Sequence, residues 1–129
     1  QGVGAIERAI QLTVDYTRER NTFGNAVFDY QNTQYKLAEC KATWMAARAM
    51  VDQLANQLMR GELDANSAAA AKFWVSERQC EIIDTCLQFF GGYGYMDEYP
   101  ISRMYTDARV QRIYGGSNEI MRMLVARAL

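Results

Sequence analysis

Apolar residues recur along most of this chain at spacings of three and four, the period of a helix that buries one face. Ile6, Ile10, Thr13, Val14 and Thr17 form the first such stripe and predict an amphipathic helix from Ile6 to about Arg20. The stretch "RNTFGNAVFDYQN" then breaks the period. Asn21, Gly24, Asn25 and Asn32 favour turns, so an ordered loop is expected there. Between Gln31 and Met59 the row Leu37, Cys40, Trp44, Ala47, Val51, Leu54 and Leu58 keeps helical spacing throughout. A second row, Ala38, Ala42, Met45 and Ala49, predicts that this helix buries two faces and is central to the fold. Gly61 supplies a stop, and Asp64, Asn66 and Ser67 are N-cap types for a third helix that runs to about Phe90. The glycines and Pro100 of "GGYGYMDEYP" forbid its continuation. A short helical or irregular piece, "ISRMYTDARV", follows. "YGGSNE" then opens a last helix through Leu129, with Ser117 or Asn118 as N-cap. The pattern predicts an all-α fold, a four-helix up-down bundle occupying residues 1–129 as a single domain.

Composition narrows the function. A chain of 129 residues buries roughly 65 to 70% of its unfolded surface and owns a core. The net charge is −1 with acids and bases interspersed, which leaves no electrostatic footprint for nucleic acid or an anionic membrane. No segment approaches the run of about 20 apolar residues that a membrane span needs. The chain has three cysteines without CxxC spacing and no histidine. A zinc site, a disulfide framework and any Ser-His or Cys-His nucleophile are therefore not expected, and a reducing compartment fits. Acid–base chemistry would fall to a carboxylate, Lys or Tyr. Because the helical pattern is already running at Gln1, the chain reads as a piece truncated within its first helix.

Three places carry possible chemistry. Gly91, Gly92 and Gly94 stand where a helix ends, as a C-cap and tight turn require, and also where a ligand could approach bare backbone. Gly115 and Gly116 precede Ser117, Asn118 and Glu119, a helix start whose free N–H groups attract anions or oxyanions, or simply a capped turn. "RERNTFG" sets Arg18 and Arg20 before Phe23, a pairing suited to a phosphate and a stacked base, or to a solvated helix end. Spacing alone stops at a helical bundle.

Together, in this order, the segments resemble the C-terminal helical domain of the acyl-CoA dehydrogenase family of flavoenzymes. "RERNTFG" is similar to that family's Arg-x-(Thr or Gln)-Phe-Gly loop, and "YQNTQYKLAE" to its Gln-rich helix start. "LQFFGGYGYMDEYP" is similar to its Gln-x-x-Gly-Gly-x-Gly-Tyr segment, and "DARVQRIYGGSNEI" to its last active-site turn. The long-chain and isovaleryl types look nearest. The resemblance implies FAD as cofactor, an acyl-CoA substrate oxidised to trans-2-enoyl-CoA, electron-transfer flavoprotein as acceptor, and a homodimer or homotetramer. It implies the bacterial cytoplasm or, in a eukaryote, the mitochondrial matrix. By resemblance Arg20 meets the FAD pyrophosphate, Phe23 packs near the adenine, and Gln31 bonds the same end of the cofactor. Gln88, Phe89, Phe90, Gly91 and Gly92 would line the dinucleotide of a neighbouring subunit. Ser117, Asn118 and Glu119 would touch FAD, with Gly115 and Gly116 on the substrate side. The commonest family pattern has its catalytic Glu where Gly115 stands here; Gly115 would offer only its backbone N–H to the thioester oxygen. The base is then expected from the first helix, upstream of Gln1, so the chain alone is expected to be inactive. Rival readings are an acyl-CoA oxidase or nitroalkane-oxidase relative and a non-catalytic helical oligomerisation module.

Overall fold

The computed structural model describes all of residues 1–129 and is built from five α-helices with one small hairpin. Helix α1 runs Gly2–Glu19 and buries Val3, Ile6, Ala9, Thr13 and Thr17; of the stripe read from the sequence, Ile6, Thr13 and Thr17 are buried and Ile10 and Val14 half-buried. Thr13 and Thr17 satisfy their hydroxyls on the carbonyls one turn back, Ala9 O at 2.7 Å and Thr13 O at 2.8 Å. Two polar residues therefore sit in the core at little cost. The expected loop is ordered: strands β1 (Asn21–Thr22) and β2 (Asn25–Ala26) pair antiparallel. A single turn of 3-10 helix, Val27–Asp29, leads from them into helix α2, Gln31–Met59.

Helix α3, Ala65–Phe90, starts on Asp64, whose carboxylate accepts from the backbone N–H of Asn66 and Ser67, both at 2.9 Å. These bonds hold the Asp64 carboxyl below the ordinary range, the Ser67 hydroxyl and N–H contributing most. The central element is α3, not α2. It lies against α1, α2, α4 and α5, whereas the second row of α2 (Ala38, Ala42, Met45, Ala49) is exposed. The reason is physical: alanines at helical spacing permit close packing but do not drive it, and α3 carries the larger buried set, including Val75, Ile82, Ile83, Cys86 and Phe90.

The piece expected to be short helical or irregular is helical: α4 runs Pro100–Val110, with Pro100 in its first turn and Ile101 and Ala108 buried. Helix α5 spans Asn118–Ala126 and stops before Leu129, which is fully exposed. The main core joins Ile6, Ala9, Cys40, Ile82, Ile83, Cys86, Phe90, Ile101 and Ala108 from four helices. No helix is long and apolar enough to cross a membrane.

Candidate functional site

Two glycine-bearing segments each border an opening in the surface. The first is a groove of about 510 Å³ between the end of α1, the hairpin and the end of α3. Arg20 closes α1: its N–H donates to Tyr16 O, and its extended backbone turns the chain toward β1. The Arg20 side chain is exposed and forms no salt bridge. Gln88, Phe89, Phe90, Gly91 and Gly92 line the same groove of the same protomer. Arg20 and the 88–92 segment share this groove because α1 and α3 are neighbours and both end here.

The floor of the groove is aromatic. Tyr16 stacks on Phe90 with ring centroids 4.2 Å apart, Phe90 meets Tyr99 edge-on at 6.2 Å, and Tyr93 stacks on Tyr99 at 5.0 Å. Burial pushes the Tyr16 phenol up while the nearby Arg20 charge pulls it down. Gly91 is the C-cap of α3 at φ +57 and ψ −133, a combination that only glycine adopts readily. Gly92 has nothing within 4 Å of where a Cβ would stand, so its backbone faces open space. An unpaired guanidinium, bare peptide backbone and flat aromatic surface are the donor set that suits a dinucleotide. The residues present fit FAD on this count.

Phe23 lies outside the groove, at the hairpin tip. It and Gly24 are the two loop residues of a hairpin with both φ values positive, +51 and +88, as a type I′ turn requires. A phenylalanine held left-handed is costly, and this one is 98% exposed. Its ring is presented outward with no contact in the chain to repay the strain. Gln31, the first residue of α2, is likewise exposed and outside the groove.

The second opening is a cavity of about 420 Å³ bordered by the start of α1, Val51 of α2, the first half of α3, and Gln111, Tyr114 and Gly115. Gly115 and Gly116 both have positive φ, +64 and +87. A Cβ at Gly115 would meet nothing within 4 Å, whereas one at Gly116 would stand 2.5 Å from Met121 Cε. Ser117 is the N-cap by conformation but makes no side-chain cap bond to the backbone.

Asn118 departs from expectation. Rather than offering its side chain to a ligand, it is 1% exposed and turned onto α3. Its Nδ2 donates to Ser76 Oγ at 3.0 Å, Phe73 O at 3.3 Å and Glu77 Oε1 at 3.4 Å. Its Oδ1 accepts from Lys72 Nζ at 2.8 Å and Ser76 Oγ at 3.2 Å. Lys72 Nζ also donates to Gly116 O at 2.7 Å, and Arg122 pairs with Glu77. The side chain is saturated by this network, which pins the turn to α3. Glu119 is exposed; its own backbone N–H at the helix start and then the Ser117 hydroxyl hold its carboxyl below the usual range. Sequence reasoning missed Lys72 and Ser76, whose signal was available: two polar residues one helical turn apart on the buried side of an alanine-rich helix.

Comparison with known proteins identifies the family and the fold. The family model described as "Acyl-CoA dehydrogenase, C-terminal domain" matches residues 1–129. The long-chain specific acyl-CoA dehydrogenase of rat mitochondria (Rattus norvegicus) is 46% identical over 127 residues, 98% of this chain and 30% of that protein. The crystal structure of an acyl-CoA dehydrogenase from Geobacillus kaustophilus superposes with a TM-score of 0.96 at 35% identity, over 98% of this chain and 33% of that one. The FAD complex of PigA superposes with a TM-score of 0.89 at 26% identity, covering 98% of this chain and 33% of that one. The chain thus spans about a third of the length of the relatives it matches. With the whole of its length matched by one family model and its helices superposing on solved members, the chain belongs to the acyl-CoA dehydrogenase family, in the part that forms its C-terminal domain.

Proposed function

We propose that this chain is the C-terminal helical domain of an FAD-dependent enzyme that oxidises acyl-CoA thioesters to trans-2-enoyl-CoA. The observation that carries the reading is the groove in which an unpaired Arg20 faces the bare backbone of Gly91 and Gly92 over an aromatic floor. Arg20 would hold the pyrophosphate of FAD, and Gln88 to Gly92 would line the dinucleotide. Phe23, strained and uncovered, and Gln31 at the start of α2 would contact the adenine end. When bound, FAD supplies the hydride acceptor for the substrate β-carbon.

At the second opening the chain's own contribution is an oriented donor. The Gly115 N–H would bond the thioester oxygen and stabilise negative charge developing there, while Gly116 lets the turn approach closely. Since Gly115 carries no carboxylate, the proton of the α-carbon would be taken by a Glu from the sequence preceding Gln1. Ser117 and Glu119, at the exposed start of α5, would contact the cofactor through this same edge, and Asn118 would serve by holding the turn. Electron-transfer flavoprotein is the proposed acceptor, and a homodimer or homotetramer the proposed assembly, in a bacterial cytoplasm or mitochondrial matrix.

The test is Arg20→Ala in the full-length protein. Losing one charged hydrogen bond should weaken FAD retention by roughly 1.5 to 3 kcal/mol, read by titrating apoenzyme with FAD. Equal affinity in variant and parent would remove Arg20 from the site.

A further inference from the structure

Lys72 is the one cation of the chain that reaches the glycine turn from a different element. It sits on α3, lines the same cavity as Gly115, and makes no salt bridge. Its ammonium instead donates to two neutral oxygens, Gly116 O at 2.7 Å and Asn118 Oδ1 at 2.8 Å. One of these is the carbonyl of the residue that follows Gly115, so the ammonium anchors the C-terminal side of the turn. Nothing else from α3 bonds the turn's backbone. With φ values of +64 and +87, Gly115 and Gly116 have many alternative conformations open to them, and a tether at Gly116 O removes most of that freedom.

We propose that Lys72 is a positioning residue for the reaction: it fixes the Gly115–Gly116 turn so that the Gly115 N–H points at the substrate oxygen. The inference rests on the function proposed above. Orientation of a donor is worth most when it is set before substrate arrives, because no reorganisation is then needed in the transition state. The unneutralised ammonium adds a second effect of the same sign, since its field favours negative charge at the cavity wall. Burial lowers the Lys72 pKa, and the charge of Glu119 acts against that.

The experiment uses the full-length enzyme and two readouts. In the flavin-free protein, amide hydrogen exchange of the 114–118 segment reports the turn directly. In the flavin-loaded protein, anaerobic bleaching by palmitoyl-CoA reports the reductive step, with KM measured beside it. Lys72→Met should speed exchange at Asn118, whose N–H closes the turn on Arg112 O at 3.1 Å, about tenfold or more while α1 and the second half of α3 keep their protection. It should slow bleaching on the order of tenfold with KM within about twofold, since an interaction realised in the transition state is lost. Lys72→Arg, which keeps the charge and the donors, should restore the protection and part of the rate. Unchanged exchange with either rate overturns the tether but leaves the proposed function standing. Faster exchange with unchanged bleaching overturns the role of this turn in catalysis and the proposal with it. General loss of protection in Lys72→Met moves the same two measurements to Lys72→Gln, which keeps one donor, and the same outcomes decide.

Discussion

The two glycine-bearing segments of this domain are held by opposite kinds of force. Residues 88–99 rest on aromatic contacts: Tyr16 stacked on Phe90, Phe90 edge-on to Tyr99, Tyr99 stacked on Tyr93. Residues 114–119 rest on a closed polar network in which Asn118 bonds Lys72, Phe73, Ser76 and Glu77 of α3. Stacking is graded, since a smaller ring or an aliphatic side chain keeps part of the contact. A buried polar network is not graded, because each missing member leaves its partners unpaired in a low dielectric. The groove can therefore adapt to what lies in it, while the turn has one arrangement. That division suits a wide cofactor surface on one side and a single oriented donor on the other.

The largest test of this contrast compares Asn118→Leu with Tyr16→Leu. The first keeps volume but removes every bond to α3, and should lower unfolding free energy by about 2 to 4 kcal/mol. The second loses a stacked pair but retains apolar contact, and should cost about 1 kcal/mol. Urea unfolding of each variant against the parent reads both. If the aromatic substitution proves the more damaging, the assignment of forces to the two segments is reversed.

Within the first segment the glycines themselves divide. A Cβ on Gly94 would stand 2.7 Å from Leu87 O and 3.0 Å from Leu87 Cγ, inside the packed end of α3. Gly94→Ala should therefore destabilise by roughly 1 to 3 kcal/mol, the usual range for overpacking. Gly92 meets nothing, and Gly92→Ala should change stability by about 0.5 kcal/mol or less. Its methyl group would nevertheless project into the groove where the dinucleotide is proposed to lie, so FAD retention should fall although the fold does not. Thermal melts separate the two variants, and flavin content after dialysis of the full-length protein identifies the second effect. A Gly92→Ala protein that holds flavin as the parent does would place the dinucleotide elsewhere.

Much of this was legible in the chain itself. The boundaries of α2 at Gln31 and Met59 follow from unbroken spacing, and the Asp64 cap follows from residue type. What resisted reading depends on partners. Asn118 has the composition of a cap, and only the arrival of Lys72 and Ser76 from 46 and 42 residues away reveals why it is buried. The second row of α2 has helical spacing, yet spacing states only that a face is apolar, not that this chain supplies the surface to cover it. Arg20 and Gln88 share a groove because α1 and α3 pack along their lengths and end together, a fact of topology that neither motif contains.

The smallest effect, and the finest test of the polar turn, is at Gly115. Its φ of +64 is unfavourable for side chains, but no atom lies within 4 Å of a Cβ there, so strain is the whole cost. Gly116 bears both strain and a 2.5 Å approach to Met121 Cε. Gly115→Ala should thus lose about 1 kcal/mol, Gly115→Asn less because Asn tolerates left-handed backbone, and Gly116→Ala the most of the three. The open space also bears on chemistry. In a full-length variant whose upstream Glu has been replaced, flavin bleaching by acyl-CoA should fall by about 10² to 10⁴-fold, the worth of a positioned base. Adding Gly115→Glu should return part of that rate, since a carboxylate can occupy the space beside the turn without displacing a neighbour. Recovery should be incomplete because the base would approach from another helix at another angle, and because the left-handed backbone resists the new side chain. If the double variant binds acyl-CoA and still shows no bleaching at any chain length, the space beside Gly115 does not face the substrate α-carbon. If bleaching survives loss of the upstream Glu alone, the proton is taken elsewhere, and Glu119 and Glu7 are the carboxylates to test.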